Sequence, residues 1–148
     1  FRVDADTFAK VRADFVADSV GNDECLAVIR EVLDEHGYLL DPHTAVAYRV
    51  AQNVRGENPV LIASTAHWAK FGDNVYRALH DLPAGAPLPA DVAALTGCQL
   101  NELISRETGG RAIPAGLSSL DEMPVRFAEV IDGDVASIES AAEDFLSR

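Results

Sequence analysis

Cys25, Leu26, Ile29, Val32 and Leu33 recur at the spacing that brings side chains to one face of an α-helix, and Gly37 follows them. This pattern predicts a helix over residues 23–36. Asn22 can cap it, Asp23 and Glu24 place negative charge at its positive end, and Gly37 supplies a left-handed stop. Tyr38, Leu39 and Leu40 form a short apolar link. The start signal then repeats: Asp41 offers a side-chain acceptor, and Pro42 has no amide proton to satisfy. A second helix is expected over 42–53, with Ala45, Val46 and Val50 turned inward. Two capped helices in succession leave little freedom for this third of the chain.

Downstream, Arg55, Gly56, Glu57, Asn58 and Pro59 read as a turn. Residues 60–64 are a short, nearly continuous apolar run, the pattern of a strand buried on both faces. Residues 65–80 have helical spacing at Phe71, Val75 and Leu79, but Gly72 interrupts it, so a loop followed by a helix is expected. Prolines stiffen residues 82–89. Beyond them the periodicity gives short helices at 91–95 and 100–105 and loops across 108–118. It also gives a helix at 122–130 and a final one to residue 146 capped by Asp134, with Val135, Ile138, Ala142 and Phe145 on its apolar face. The first twenty residues read as an extended start and then a helix or irregular turn bearing Phe8, Val11 and Phe15. Three regions follow: residues 1–81, a proline-rich linker at 82–89, and a helical extension at 90–148. No internal repeat is present.

Composition narrows the class of function. The 148 residues suit one ordinary domain, and 48% hydrophobic with 24% charged residues is the balance of a folded soluble chain. Asp and Glu outnumber Lys and Arg by 24 to 12, giving a formal charge of −12 without a basic patch. Binding to a nucleic-acid backbone or to an anionic membrane surface is therefore not expected. No stretch is long and apolar enough to span a bilayer, and the cytoplasm is the default location. Cys25 and Cys98 are too few for a disulfide scaffold, and Cys25 lies on an apolar helix face, as a structural thiol would. The four histidines are widely separated and make no metal-ligand spacing. A nucleophile elbow, a dinucleotide fingerprint and a P-loop are all lacking.

Polar residues gather where elements begin or end. Asp41 and His43 start a helix, and Ser64 and Thr65 end the expected strand, which is where ligands collect in open α/β sheets. Amides at the start of a following helix favour an anion. Each residue also has a plain structural reading. Asp41 and Thr65 could be helix caps, His43 and His67 ordinary hydrogen-bonded histidines, and Lys70 a surface lysine.

At these same positions the chain resembles threonine synthase of the long bacterial and fungal type. Residues 37–48, Gly-Tyr-Leu-Leu-Asp-Pro-His-Thr-Ala-Val-Ala-Tyr, are similar to that family's DPHTAVAY-like stretch. Residues 63–71, Ala-Ser-Thr-Ala-His-Trp-Ala-Lys-Phe, are similar to its TAHPAKF-like segment, with Trp68 in place of a commoner proline. The separation of the two also fits. The likeness covers roughly residues 23–82 and fades after Pro89.

The resemblance implies an α/β fold of the tryptophan-synthase β type, of which this chain would be a C-terminal, mostly helical fragment with few strands. It implies pyridoxal 5'-phosphate as cofactor of the full-length enzyme, and conversion of O-phospho-L-homoserine and water to L-threonine and phosphate. Thr65 matches the position whose hydroxyl contacts the pyridine nitrogen, with Ser64 as the alternative. Asp41 matches an acidic position near the cofactor, and His43, His67 and Lys70 fall in its vicinity. The family's Schiff-base lysine and phosphate loop belong to an N-terminal part that these residues do not match, and Lys10 and Lys70 are the chain's two lysines. The expectation is a recombinant piece or proteolytic product. It would be inactive alone, bind no cofactor by itself, and have the missing N-terminal part as its partner. The alternative is a noncatalytic small-molecule-binding or interaction module derived from that fold. Oligomeric state is left open.

Overall fold

The computed structural model describes residues 2–126 and 128–147. Eight α-helices appear among them: α1 (Ala5–Asp14), α2 (Asn22–His36), α3 (Pro42–Val54), α4 (Gly72–Leu79), α5 (Ala90–Ala93), α6 (Gly97–Glu107), α7 (Ala115–Ser118) and α8 (Val135–Leu146). Single turns of 3-10 helix lie at Trp68–Lys70 and Leu120–Glu122.

The core is built on α2. Cys25, Leu26, Val28, Ile29 and Val32 are buried on it, against α3 on one side and α4 on the other. Gly37 ends α2 at φ 64°, in the left-handed region, and its amide donates to the Leu33 carbonyl. This is the stop that the sequence predicts. The start differs slightly. Gly21 takes the cap position without a side-chain bond, and Asn22 is already helical. Leu39 and Leu40 are buried in the link. Arg49 of α3 then pairs with Glu31 of α2 at 2.6 Å, and Arg30 of α2 donates to the Leu79 carbonyl at the end of α4.

Val92, Leu100 and Ile104, from beyond the proline-rich stretch, complete the same core, with α6 packed on α4. That stretch is tied down from both sides: the Ala84 amide donates to Asp23 at 2.7 Å, and Arg77 Nε donates to the Ala86 carbonyl at 2.8 Å. Helix α6 begins three residues before the expected segment. Thr96 and Gln99 form a reciprocal capping box there, each side chain accepting from the other's backbone amide.

Two expectations are corrected. Residues 60–64 form no strand, and no strand occurs among the described residues. The segment carries no ladder hydrogen bonds, and Leu61 is 97% exposed. A strand is stable only when a neighbouring backbone takes its amides and carbonyls, and among the described residues no backbone pairs with this segment. The helix expected at 122–130 is also absent from the described residues. The 3-10 turn ends at Glu122, and Met123 is extended, as a residue before Pro124 must tend to be; Phe127 lies outside the described residues. Helices α1 and α8 form with their Asp4 and Asp134 caps in place but bury no residue.

Candidate functional site

Residue Asp41 is 2% exposed, yet it carries a carboxylate. Three features of the local sequence hold it there. It caps α3, with Oδ1 accepting from the backbone amides of His43 at 2.9 Å and Thr44 at 3.3 Å. The Thr44 hydroxyl donates to Oδ2 in a short hydrogen bond. The His43 ring contributes Nδ1 at 3.2 Å from Oδ1. Burial pushes the Asp41 carboxyl up, but the bonds from Thr44 and His43 together outweigh it and hold the group below the usual carboxylate range. An ionised carboxylate only accepts, so neutral His43 must carry its proton on Nδ1.

The turn around Ser64 meets this cap from the other side. Ser64 Oγ lies 2.9 Å from Thr44 Oγ1 and 3.4 Å from the Ala66 carbonyl. Three residues on, His67 caps the Trp68–Lys70 turn, its Nδ1 accepting from the Ala69 amide at 3.2 Å. Neutral His67 is therefore the opposite tautomer to His43, with a donor at Nε2. Asp41, Ser64, His67, Trp68, Tyr38 and Arg111 line a cavity of about 250 Å³. Arg111 arrives from the loop after α6 and donates to the Gly37 carbonyl at 2.5 Å, which closes the cavity against the end of α2.

The sequence-predicted residues thus divide. Asp41, Ser64 and His67 come together, and His43 supports Asp41 while its ring packs on Phe71 at 4.8 Å between centroids. Thr65 is exposed, makes no hydrogen bond among the described residues and caps nothing; the capping reading of Thr65 fails because His67 fills that role. Lys70 is exposed and lines a different cavity of about 650 Å³, between the 3-10 turn, α4 and α6. Two participants escaped the sequence reading. Thr44 could have been found from its place three residues after the Asp41 cap, where a hydroxyl reaches the capping carboxylate. Arg111 lies 74 residues from its partner Gly37, and no local pattern marks it.

The two cysteines are placed as structural thiols. Cys25 Sγ donates to the Pro42 carbonyl at 3.3 Å, and burial, with the Asp41 charge second, pushes its thiol up. Cys98 is likewise free and buried, donating to the Leu117 carbonyl at 3.2 Å. Among the described residues no group of three or more His, Cys, Asp or Glu could hold a metal ion, and no helix is long and apolar enough to cross a membrane.

Residues 44–108 match the family described as threonine synthase, C-terminal. A Homo sapiens protein named threonine synthase-like 1 is 45% identical over 80 residues, 53% of this chain and 11% of that protein. Threonine synthase of Schizosaccharomyces pombe is 38% identical over 73 residues, 46% of this chain and 14% of that protein. The crystal structure of PLP-bound threonine synthase from Brucella melitensis superposes with a TM-score of 0.50 at 31% identity, covering 76% of this chain and 26% of that one. The chain therefore spans only about a tenth of the length of the first of these relatives, 11%. The matched segment includes Ser64 and His67 of the cavity and Thr44 beside Asp41, and over it the chain is similar to the C-terminal region of threonine synthases.

Proposed function

We propose that this chain is the C-terminal part of a pyridoxal-phosphate-dependent carbon–oxygen lyase of the tryptophan-synthase β type, acting in threonine biosynthesis in the cytoplasm. The whole protein would convert O-phospho-L-homoserine and water to L-threonine and phosphate. The observation that carries this reading is the buried Asp41–Thr44 pair, which meets the exposed Ser64 hydroxyl at the edge of a cavity that Asp41 and Ser64 both line. The donor set fits the cofactor's ring. Ser64 presents an uncharged hydroxyl at the rim, suited to the pyridine nitrogen, and Asp41 holds that hydroxyl in place through Thr44. Thr65, the neighbouring residue, is the alternative contact. His43 and His67 stand beside the cluster. Lys70 faces away from it, so in this reading Lys70 supports packing of the motif.

The cofactor supplies an electron sink. Ser64, with Asp41 and Thr44 behind it, would orient its ring, and the lysine and phosphate loop would come from the N-terminal part. Phosphate release from O-phospho-L-homoserine tests the reading. The full-length protein with cofactor should turn over, and the isolated chain should remain at the blank. Turnover by the isolated chain, or none by a folded, cofactor-loaded full-length protein, would contradict it. The second of these outcomes would favour another reading: a noncatalytic small-molecule-binding or interaction module built on the same fold. That alternative is kept because the relative with the highest identity given above bears the name threonine synthase-like 1 rather than threonine synthase.

A further inference from the structure

We propose that the cavity between the Trp68–Lys70 turn, α4 and α6 is a binding site for a free α-amino acid with an apolar side chain, held as its zwitterion. None of its lining residues lines the first cavity, and the proposal does not depend on the cofactor reading.

Two helices begin on this cavity. Gly72 and Asp73 open α4, Gly97 and Cys98 open α6, and all four line it. The first amides of a helix have no partner within the helix itself. Thr96 caps α6 through the Gln99 amide, and α4 has no side-chain cap. The amides of Gly72, Asp73, Gly97 and Cys98 therefore have no acceptor among the described residues. Lys70 adds an ammonium at the rim. Free amides at two helix starts, with a cation beside them, favour a carboxylate.

The rest of the wall rejects a bare anion. Asp73 and Asp121 line the same cavity, and their carboxylates would repel an inorganic anion there. A second, independent observation lies on the floor. Asn101 is 6% exposed, its Nδ2 is spent on the Ala69 carbonyl at 2.8 Å, and its Oδ1 is buried without a partner. That oxygen stands beside Gly72, where a Cβ would lie 3.1 Å from it, and so beside the free amides of α4. A buried acceptor left unpaired calls for a donor. An ammonium supplies one, and the two carboxylates attract it as well. A carboxylate and an ammonium on one carbon are the head of an amino acid. Phe71, Leu100, Leu117 and Leu120 offer an apolar wall to its side chain, and about 650 Å³ leaves room for one the size of leucine.

Calorimetric titration of the full-length protein with L-leucine tests the site, and saturable one-to-one binding is expected. L-leucinamide lacks the carboxylate, and 2-hydroxyisocaproate lacks the ammonium. Each should bind about tenfold more weakly, the loss of one charge-assisted hydrogen bond. Inorganic phosphate should give no heat. Lys70→Ala and Asp121→Asn, both at exposed positions, should each weaken L-leucine by about threefold. Should Asp121→Asn fail to fold, Lys70→Ala and the two analogues decide the matter. Absence of L-leucine binding overturns the proposal. So does phosphate binding in place of L-leucine, which would make this a plain anion site. L-leucine bound at wild-type affinity by both variants would sit elsewhere, the cofactor included, and overturns it too. None of these results touches the cofactor reading, which phosphate release from O-phospho-L-homoserine tests separately.

Discussion

Asp41 is a helix cap and a buried charge at once. Its carboxylate stays ionised in the interior because four hydrogen bonds, two from backbone amides and two from side chains, replace the water it lost. The folded-state pKa lies below the ordinary value, so the sign of its contribution is fixed. The stability it adds is present above the unfolded pKa and is lost as pH falls through the folded one. Urea midpoints measured from about pH 6 down to about pH 2 should show a steeper acid loss for wild type than for Asp41→Asn. Equal slopes would mean that the carboxylate is not coupled to folding. Asp4 and Asp134 are shifted the same way by their Thr7 and Ser137 bonds, but both are fully exposed caps and serve as poor carriers of that acid dependence.

At the scale of elements, α4 and α6 meet at a glycine. A Cβ added at Gly72 would sit 3.1 Å from Asn101 Oδ1 and 3.2 Å from Leu100 Cδ2. Asn101 cannot easily give way. Its Nδ2 is fixed on the Ala69 carbonyl at 2.8 Å, and its buried Oδ1 has no conventional partner. Gly72 is the first residue of α4 and its backbone is not in the left-handed region, so helix propensity alone would favour alanine there. Packing should win: Gly72→Ala is expected to destabilise by roughly 1–3 kcal/mol, read by chemical denaturation. An unchanged or raised midpoint would show that the α4–α6 contact relaxes freely. The glycine that seemed in the sequence to interrupt a helix is where that helix starts, and close approach is the reason for it.

Across the whole molecule, burial is uneven. Ile29 and Ile104 are fully buried where α2, α4 and α6 converge, whereas Val135, Ile138 and Phe145 of α8 are exposed despite an apolar face. Ile29→Ala should cost about 2–5 kcal/mol. Ile138→Ala should stay within about 0.5 kcal/mol, because no covered surface is lost. Urea unfolding of both variants checks the contrast, and similar losses would mean that α8 packs on the core in solution. The exposure of Leu61 belongs to the same scale. An apolar segment that reads as a buried strand stays largely exposed and forms no strand, because nothing among the described residues pairs with it.

Local chemistry alone determined a good deal. The stop at Gly37, the Asp41–Pro42 start of α3, the Asp134 cap and the buried stripe of α2 all follow from interactions within a few residues, which is the range over which a sequence pattern is directly readable. The likeness to threonine synthases was legible for the same reason, in two short segments. The tertiary structure decided what depends on distant partners. It decided that Ser64 rather than Thr65 meets the Asp41–Thr44 cap, that Lys70 faces a second cavity, and that Arg111 closes the first from 74 residues away. It also decided that residues 60–64 stay unpaired. Apolarity can say that a segment seeks cover, but hydrogen bonding between strands needs a second backbone, and its presence is a property of the assembled fold.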